Sequence, residues 1–181
     1  MFRLPIQKTI EAAGVLVGFE HSLQISRLRL LKLLYMADRE SLQETGRPIV
    51  GAKAVAMDHG PLHSEVFDLI KGQHIHGPKW SQYFRNDGYN VGRICDPGRA
   101  HLSRYEIEKL TEVSERFIQQ DDWEVSARTH DFDEWKKNAE EGTSRTIPFE
   151  DIIDAVGRAS DKPAILQDAK DRAIADRLFG E

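Results

Sequence analysis

The chain has 181 residues, 40% of them hydrophobic and 30% charged, with a single cysteine and a formal net charge of −5. That length and a mean hydropathy of −0.52 fit one globular domain with an adequate core, and no apolar run is long enough for a bilayer. The lone Cys95 rules out an internal disulfide or a multi-thiolate zinc site, and with no basic-then-apolar leader the expected location is cytoplasmic. Charge is divided unevenly. Residues 1–100 carry 13 Lys and Arg against 10 Asp and Glu, whereas residues 101–181 carry 12 against 20. An acidic C-terminal half repels a phosphate backbone, so broad nucleic-acid binding is disfavoured.

In chain order, Ile6, Ile10, Ala13, Leu16 and Val17 recur at helical spacing and predict a helix from about Pro5 to Phe19. A second helix is capped by Ser26 and stopped by Gly46 and Pro48. Apolar residues crowd most of its circumference between Leu28 and Ala37, which predicts a buried central helix. Ile49 to Met57 reads as a weak strand entering a Gly60-Pro61 turn, with Pro61 opening a short helix that runs to Lys71. Asn86-Asp87-Gly88 between β-forming segments predicts an antiparallel hairpin from Trp80 to Ile94. Ser103 and Glu106 form a capping box that opens a helix to about Gln119, with Ile107, Leu110, Val113, Phe117 and Ile118 as its buried stripe. Shorter helices follow at about Trp123–Arg128, Phe132–Glu140 and Pro148–Val156, and a last one starts at Pro163. The predicted fold class is mainly α: a single helical domain around the second helix, with a small antiparallel β-hairpin inserted.

Several residues bear on chemistry. Asp38 lies on or beside the apolar face of the second helix, where the helix edge turns to solvent, or Asp38 caps a neighbouring loop through a backbone amide, or it holds a buried polar network together. His59 and His63, and His74 and His76, invite a metal hypothesis, but His59 precedes the helix and no His-Glu-x-x-His pattern accompanies them, so no metal is expected. No Gly-x-Ser-x-Gly elbow and no phosphate loop is present, and no cofactor is expected. Trp80, Trp123 and Trp135 read as core or hinge anchors. Arg27, Arg29 and Lys32 read as a solvated stripe, since their helix is too apolar for a DNA groove. Thr129 is placed to cap the following helix, which makes His130 a structural residue.

Lys32-Leu33-Leu34-Tyr35-Met36-Ala37-Asp38, Gly46-Arg47-Pro48-Ile49 and Ala56-Met57-Asp58-His59-Gly60-Pro61, followed by Val66-Phe67, stand in an order that resembles the Panacea domain. This is the SocA-like antitoxin family, also called phage-associated GepA-like. Thr129-His130 followed by Trp135 resembles its second block, and together the likeness runs from about residue 8 to 157. Glu134 departs from it, standing where the family commonly has proline. The resemblance implies a mainly helical domain and an antitoxin that binds a cognate protein toxin, without catalytic residues. It also implies that Tyr35, Asp38, Gly46, Pro48, Gly60, Pro61, Thr129, His130 and Trp135 are structural or partner-binding. Residues 1–160 form the family-like domain on this reading, and 161–181 an amphipathic C-terminal helix beyond it. That helix presents Leu166, Ala173 and Leu178 either to its own domain or to a partner, and the hairpin surface around Trp80 is a further partner-facing candidate. A DNA-binding regulator of its own operon is the alternative function, and an enzyme using Asp38 with His130 the weakest.

Overall fold

The computed structural model describes residues 4–179, which are mainly helical with two small antiparallel sheets of three strands each. After α1 (Ile6–Phe19) and β1 (Gln24–Ser26), the Ser26 hydroxyl accepts the Arg29 N–H at 3.0 Å and starts α2 (Arg27–Thr45). Gly46 ends α2 in a left-handed conformation, φ +79°, that a side chain would strain. Every residue of α2 from Arg29 to Asp38 is buried, and the helix packs against α1, β1 and five elements that follow it: β3 (Gly60–His63), α3 (Ser64–Ile70), α5 (Arg104–Phe117), α6 (Asp122–Arg128) and α8 (Phe149–Ala155).

The hairpin signal is realised in β4 (Phe84–Asp87) and β5 (Asn90–Arg93), with Gly88 and Tyr89 as the two turn residues, one step later than the Asp-Gly signal places them. β1 adds to β5 in the register Ile25↔Val91, a pairing that three residues of sequence do not announce. The second sheet, ordered β3-β2-β6, comprises β2 (Ala54–Met57), β3 and β6 (Arg145–Thr146). Here the expectation for Pro61 fails. It lies opposite Ala56 in edge strand β3, and the helix starts only at Ser64. Proline fits an edge strand because its missing N–H deprives no neighbouring strand of a donor.

Trp80 is a core anchor, as its type suggests, and the partner-facing reading of it fails. It closes the single helical turn α4 (Gly77–Trp80), is fully buried against Phe84, and donates to Asn86 Oδ1 at 3.3 Å, so it offers no surface to a partner. The reciprocal cap of α5 forms as expected, and Leu110, Val113 and Phe117 are buried, but Ile118 lies past the helix end and is exposed. A second capping box, Asp121 with Glu124, opens α6. Arg29 and Lys32 are buried, not solvated. Arg29 donates to the Phe117 and Gln120 carbonyls at 2.7 and 2.8 Å, satisfying the C-terminal end of α5, and Glu20 neutralises its charge at 3.2 Å. Lys109 of α5 reaches Glu44 at 2.7 Å and Glu40 at 3.4 Å, a second fastening of α5 to α2.

Beyond α7 (Asp133–Asn138), α8 (Phe149–Ala155) gathers a second apolar cluster with Tyr35, Leu42, Ala56 and Ile147. The last helix, α9 (Lys162–Phe179), divides along its length. Ile165 and Ala169 are buried on the domain, Leu166 and Ala173 are half-buried, and Arg47 holds Asp168 at 2.6 Å. Ile174 and Leu178 are exposed. Truncating Ile165 to Ala therefore removes core packing and lowers the free energy of unfolding by about 2–4 kcal/mol. Leu178→Ala stays within about 0.5 kcal/mol of the parent. Urea denaturation of both variants checks the division.

Candidate functional site

Among the polar residues of α2, Lys32, Tyr35, Asp38 and Arg39 fall at spacings that place them along neighbouring rows of the helix. Lys32, Tyr35 and Asp38 are buried and Arg39 is half-buried, and the buried ones must find partners, because an unpaired polar group out of water is costly. Asp38 accepts the Val50 and Gly51 N–H groups, both at 2.8 Å, and its second oxygen lies 3.3 Å from His63 Nε2. The solvent-facing reading of this residue fails, since it is buried, and the other two merge: it is a buried carboxylate, and it caps the loop after Pro48. Pro48 is half-buried in that loop, and Gly46 meets Ile165 of α9. Asp38 joins His63, on β3, whereas His130 lies against Trp135.

Tyr35 and Arg39 converge on Glu134, which is buried at the start of α7. The phenol donates at 3.2 Å and the guanidinium at 2.9 Å, while Arg39 also covers the Phe132 ring at 4.3 Å. Burial, and then the Glu134 charge, push the Tyr35 phenol well above its ordinary pKa. Glu134, the departure from the family pattern, is therefore the carboxylate that ties α7 to α2.

Lys32 is completely buried, and its ammonium donates to the Pro61 carbonyl at 2.8 Å. Burial pulls its pKa down to about 7. Around it close Gly60, Thr129 and His130. A Cβ on Gly60 would stand 2.2 Å from Thr129 Oγ1 and 3.0 Å from Lys32 Nζ, and the residue has φ +91°, so only glycine fits. Thr129 does not cap α7. Its hydroxyl donates to the Ser126 carbonyl at 2.6 Å, and Ser126 in turn donates to the His59 carbonyl at 2.8 Å. His130 stacks on Trp135 with ring centres 4.4 Å apart and planes 8° apart, and Trp135 donates from Nε1 to the Met57 carbonyl at 2.9 Å. Trp135 is half-buried against the second apolar cluster, an anchor of the kind expected. Burial, then the nearby Lys32 charge, lowers the His130 pKa.

Two hollows flank this interior. One, about 520 Å³, lies beside Tyr35, Asp38, Arg39 and His63, with Phe149 and Ile152 of α8 across from them. The other is a groove of about 1040 Å³ floored by Leu28, Leu31 and Lys32 and edged by Phe67, Tyr89 and Trp123. Trp123, read from sequence as a core anchor, is 62% exposed and meets only part of its surface with His59, ring centres 5.3 Å apart. No sequence signal separates it from the buried Trp80. Among the described residues no group of three or more His, Cys, Asp or Glu side chains is gathered to hold a metal ion.

A family model described as antitoxin SocA-like, Panacea domain, matches residues 30–136. The chain belongs to the SocA-like antitoxin family. The match is narrower than the likeness over residues 8–157: α1 and α8 fall outside it, although both pack on matched elements or on the apolar cluster they share. Within it lie all nine motif residues, from Tyr35 to Trp135. No curated protein and no solved structure matches the chain.

Two stability measurements follow from the interior contacts. Asp38→Ala strands the Val50 and Gly51 donors and costs about 2–4 kcal/mol, each orphaned group contributing about 1–3 kcal/mol. It is read by chemical denaturation. For Lys32, the folded-state pKa is depressed, so between about pH 7 and the ordinary lysine value of 10.5 the unfolded chain binds a proton that the folded chain has released. Stability accordingly rises with pH above 7, until tyrosine ionisation in the unfolded chain intervenes near pH 10. A series of thermal melts from pH 7 to 9.5 shows this rise in the parent and a flatter profile in Lys32→Met.

Proposed function

We propose that the protein is the antitoxin of a toxin–antitoxin pair and neutralises a cognate protein toxin by direct contact, as a cytoplasmic binding module and not an enzyme. The observation that carries this reading is the family match across residues 30–136. The site chemistry supports it. Several polar groups of this interior are spent on one another and on backbone: Asp38 on a loop, Glu134 on Tyr35 and Arg39, Lys32 on Pro61. Such contacts make a rigid helical domain about α2, the kind of body that holds a binding surface in shape. Among the described residues no helix is long and apolar enough to cross a membrane, in keeping with that placement. The acidic C-terminal half opposes the alternative of an operon regulator that grips DNA.

The test is co-expression with the product of the neighbouring reading frame. The expected outcome is that the product alone arrests growth, that co-expression restores it, and that the two proteins copurify. Restored growth without a complex overturns direct neutralisation. A steeply salt-dependent shift of operator DNA, with no complex, favours the regulator instead.

A further inference from the structure

Trp123 and Tyr89 stand 62% and 45% exposed on opposite edges of one groove, where water gains nothing from them. Tryptophan, tyrosine and arginine are the residues that dominate binding energy at protein interfaces, and all three line this groove. Arg27 completes the set: its guanidinium lies over both the Phe67 ring at 5.4 Å and the Tyr89 ring at 5.8 Å, which holds that wall of the groove in place. The volume, about 1040 Å³, is at the upper end of the range of about 300–1,000 Å³ usual for small-molecule pockets. Its apolar floor on α2 suits a row of side chains from a larger partner.

Charge selects the partner. Asp58, Asp121 and Asp122 stand around the groove. Each is engaged through one local contact: Asp58 accepts the Gly142 N–H at 2.9 Å, Asp121 the Glu124 N–H at 2.8 Å, and Asp122 lies 3.8 Å from Arg29. None of these contacts removes the rim's negative character. Of the two cations lining the groove, Lys32 sits below the surface on Pro61 and Arg27 on the aromatic rings.

We propose that this groove is the toxin-contact surface, and that it receives an amphipathic helix bearing lysine or arginine. The apolar face of that helix packs on Leu28, Phe67 and Trp123 while its cations meet Asp58, Asp121 and Asp122, a helix-in-groove mode. The identification of the occupant as a segment of the toxin rests on the antitoxin reading; the preference for a basic amphipathic helix rests on the groove alone.

The experiment separates the two. A short labelled amphipathic helix of leucine and lysine is titrated with the full chain by fluorescence anisotropy, beside its leucine–glutamate counterpart. Trp123→Ala, at an exposed position, keeps the parent melting temperature and weakens binding of the lysine peptide about tenfold or more. The combined Asp58→Asn, Asp121→Asn and Asp122→Asn variant retains the α6 cap, since asparagine caps as well as aspartate, and loses affinity together with most of its salt dependence. The glutamate peptide binds far more weakly. Equal binding of the two peptides, or undiminished binding by Trp123→Ala, overturns the groove's selectivity whatever the toxin does. The same variants are then tested in co-expression. If Trp123→Ala still forms the toxin complex and restores growth, the groove is not the toxin contact, although the antitoxin reading stands. If the parent fails to restore growth while the lysine peptide binds as described, the antitoxin reading fails and the groove's preference survives.

Discussion

Between Arg29 and Asp38 α2 is buried all round, and the polar side chains of Arg29, Lys32, Tyr35 and Asp38 there cannot be left to water. Each becomes a point to which a distant segment is fastened. Arg29 takes the end of α5, Lys32 the β2–β3 hairpin, Tyr35 the start of α7, and Asp38 the loop after Pro48. The partners are chiefly backbone carbonyls and amides, which hold position whatever the side chain beside them. Hydrophobic burial draws the elements onto α2, but apolar contact has no direction. The hydrogen bonds set where along the helix each segment sits.

This division explains which features of the fold and the site are legible in the amino-acid sequence. Signals that act within a few residues are realised intact: the Ser26 cap, the Gly46 stop, and the reciprocal pair Ser103 and Glu106. Signals that depend on a distant partner are not. Arg29 and Lys32 look like solvent-facing charges in sequence because nothing local reveals that the Phe117 and Pro61 carbonyls will meet them. Pro61 is equally at home at a helix start and in an edge strand, and only the pairing with Ala56 decides. Trp80 and Trp123 are one residue type with opposite fates, since one falls under the first sheet and the other on the outer turn of α6. The strands β1 and β6 are too short for alternation to show.

The same reasoning separates two roles among the family's residues. Gly60, Thr129, His130 and Trp135 interlock beneath the hairpin, and their geometry is that of a packed joint. Glu134 ties this joint to α2 as a carboxylate held between Tyr35 and Arg39. The aromatic groove is built differently. Its floor belongs to α2, yet apart from Phe67 of α3 its walls come from the β2–β3 turn, the Tyr89 turn, the start of α6 and the segment 142–144, places where side chains can change without disturbing the interior.

The pairing of β2 with β6 joins Val55 to Thr146, residues separated by half of the chain. During synthesis β2 can pair with β3 as soon as both emerge, but its other edge has no strand to pair with until the ribosome has passed residue 146. Unpaired strand edges template association with other chains. Closing so long a loop also places the completion of this sheet late, after the local contacts between α1 and α2 can form. Until the two residues of β6 are made, a nascent chain of this protein has no strand of its own with which to cover that edge of β2.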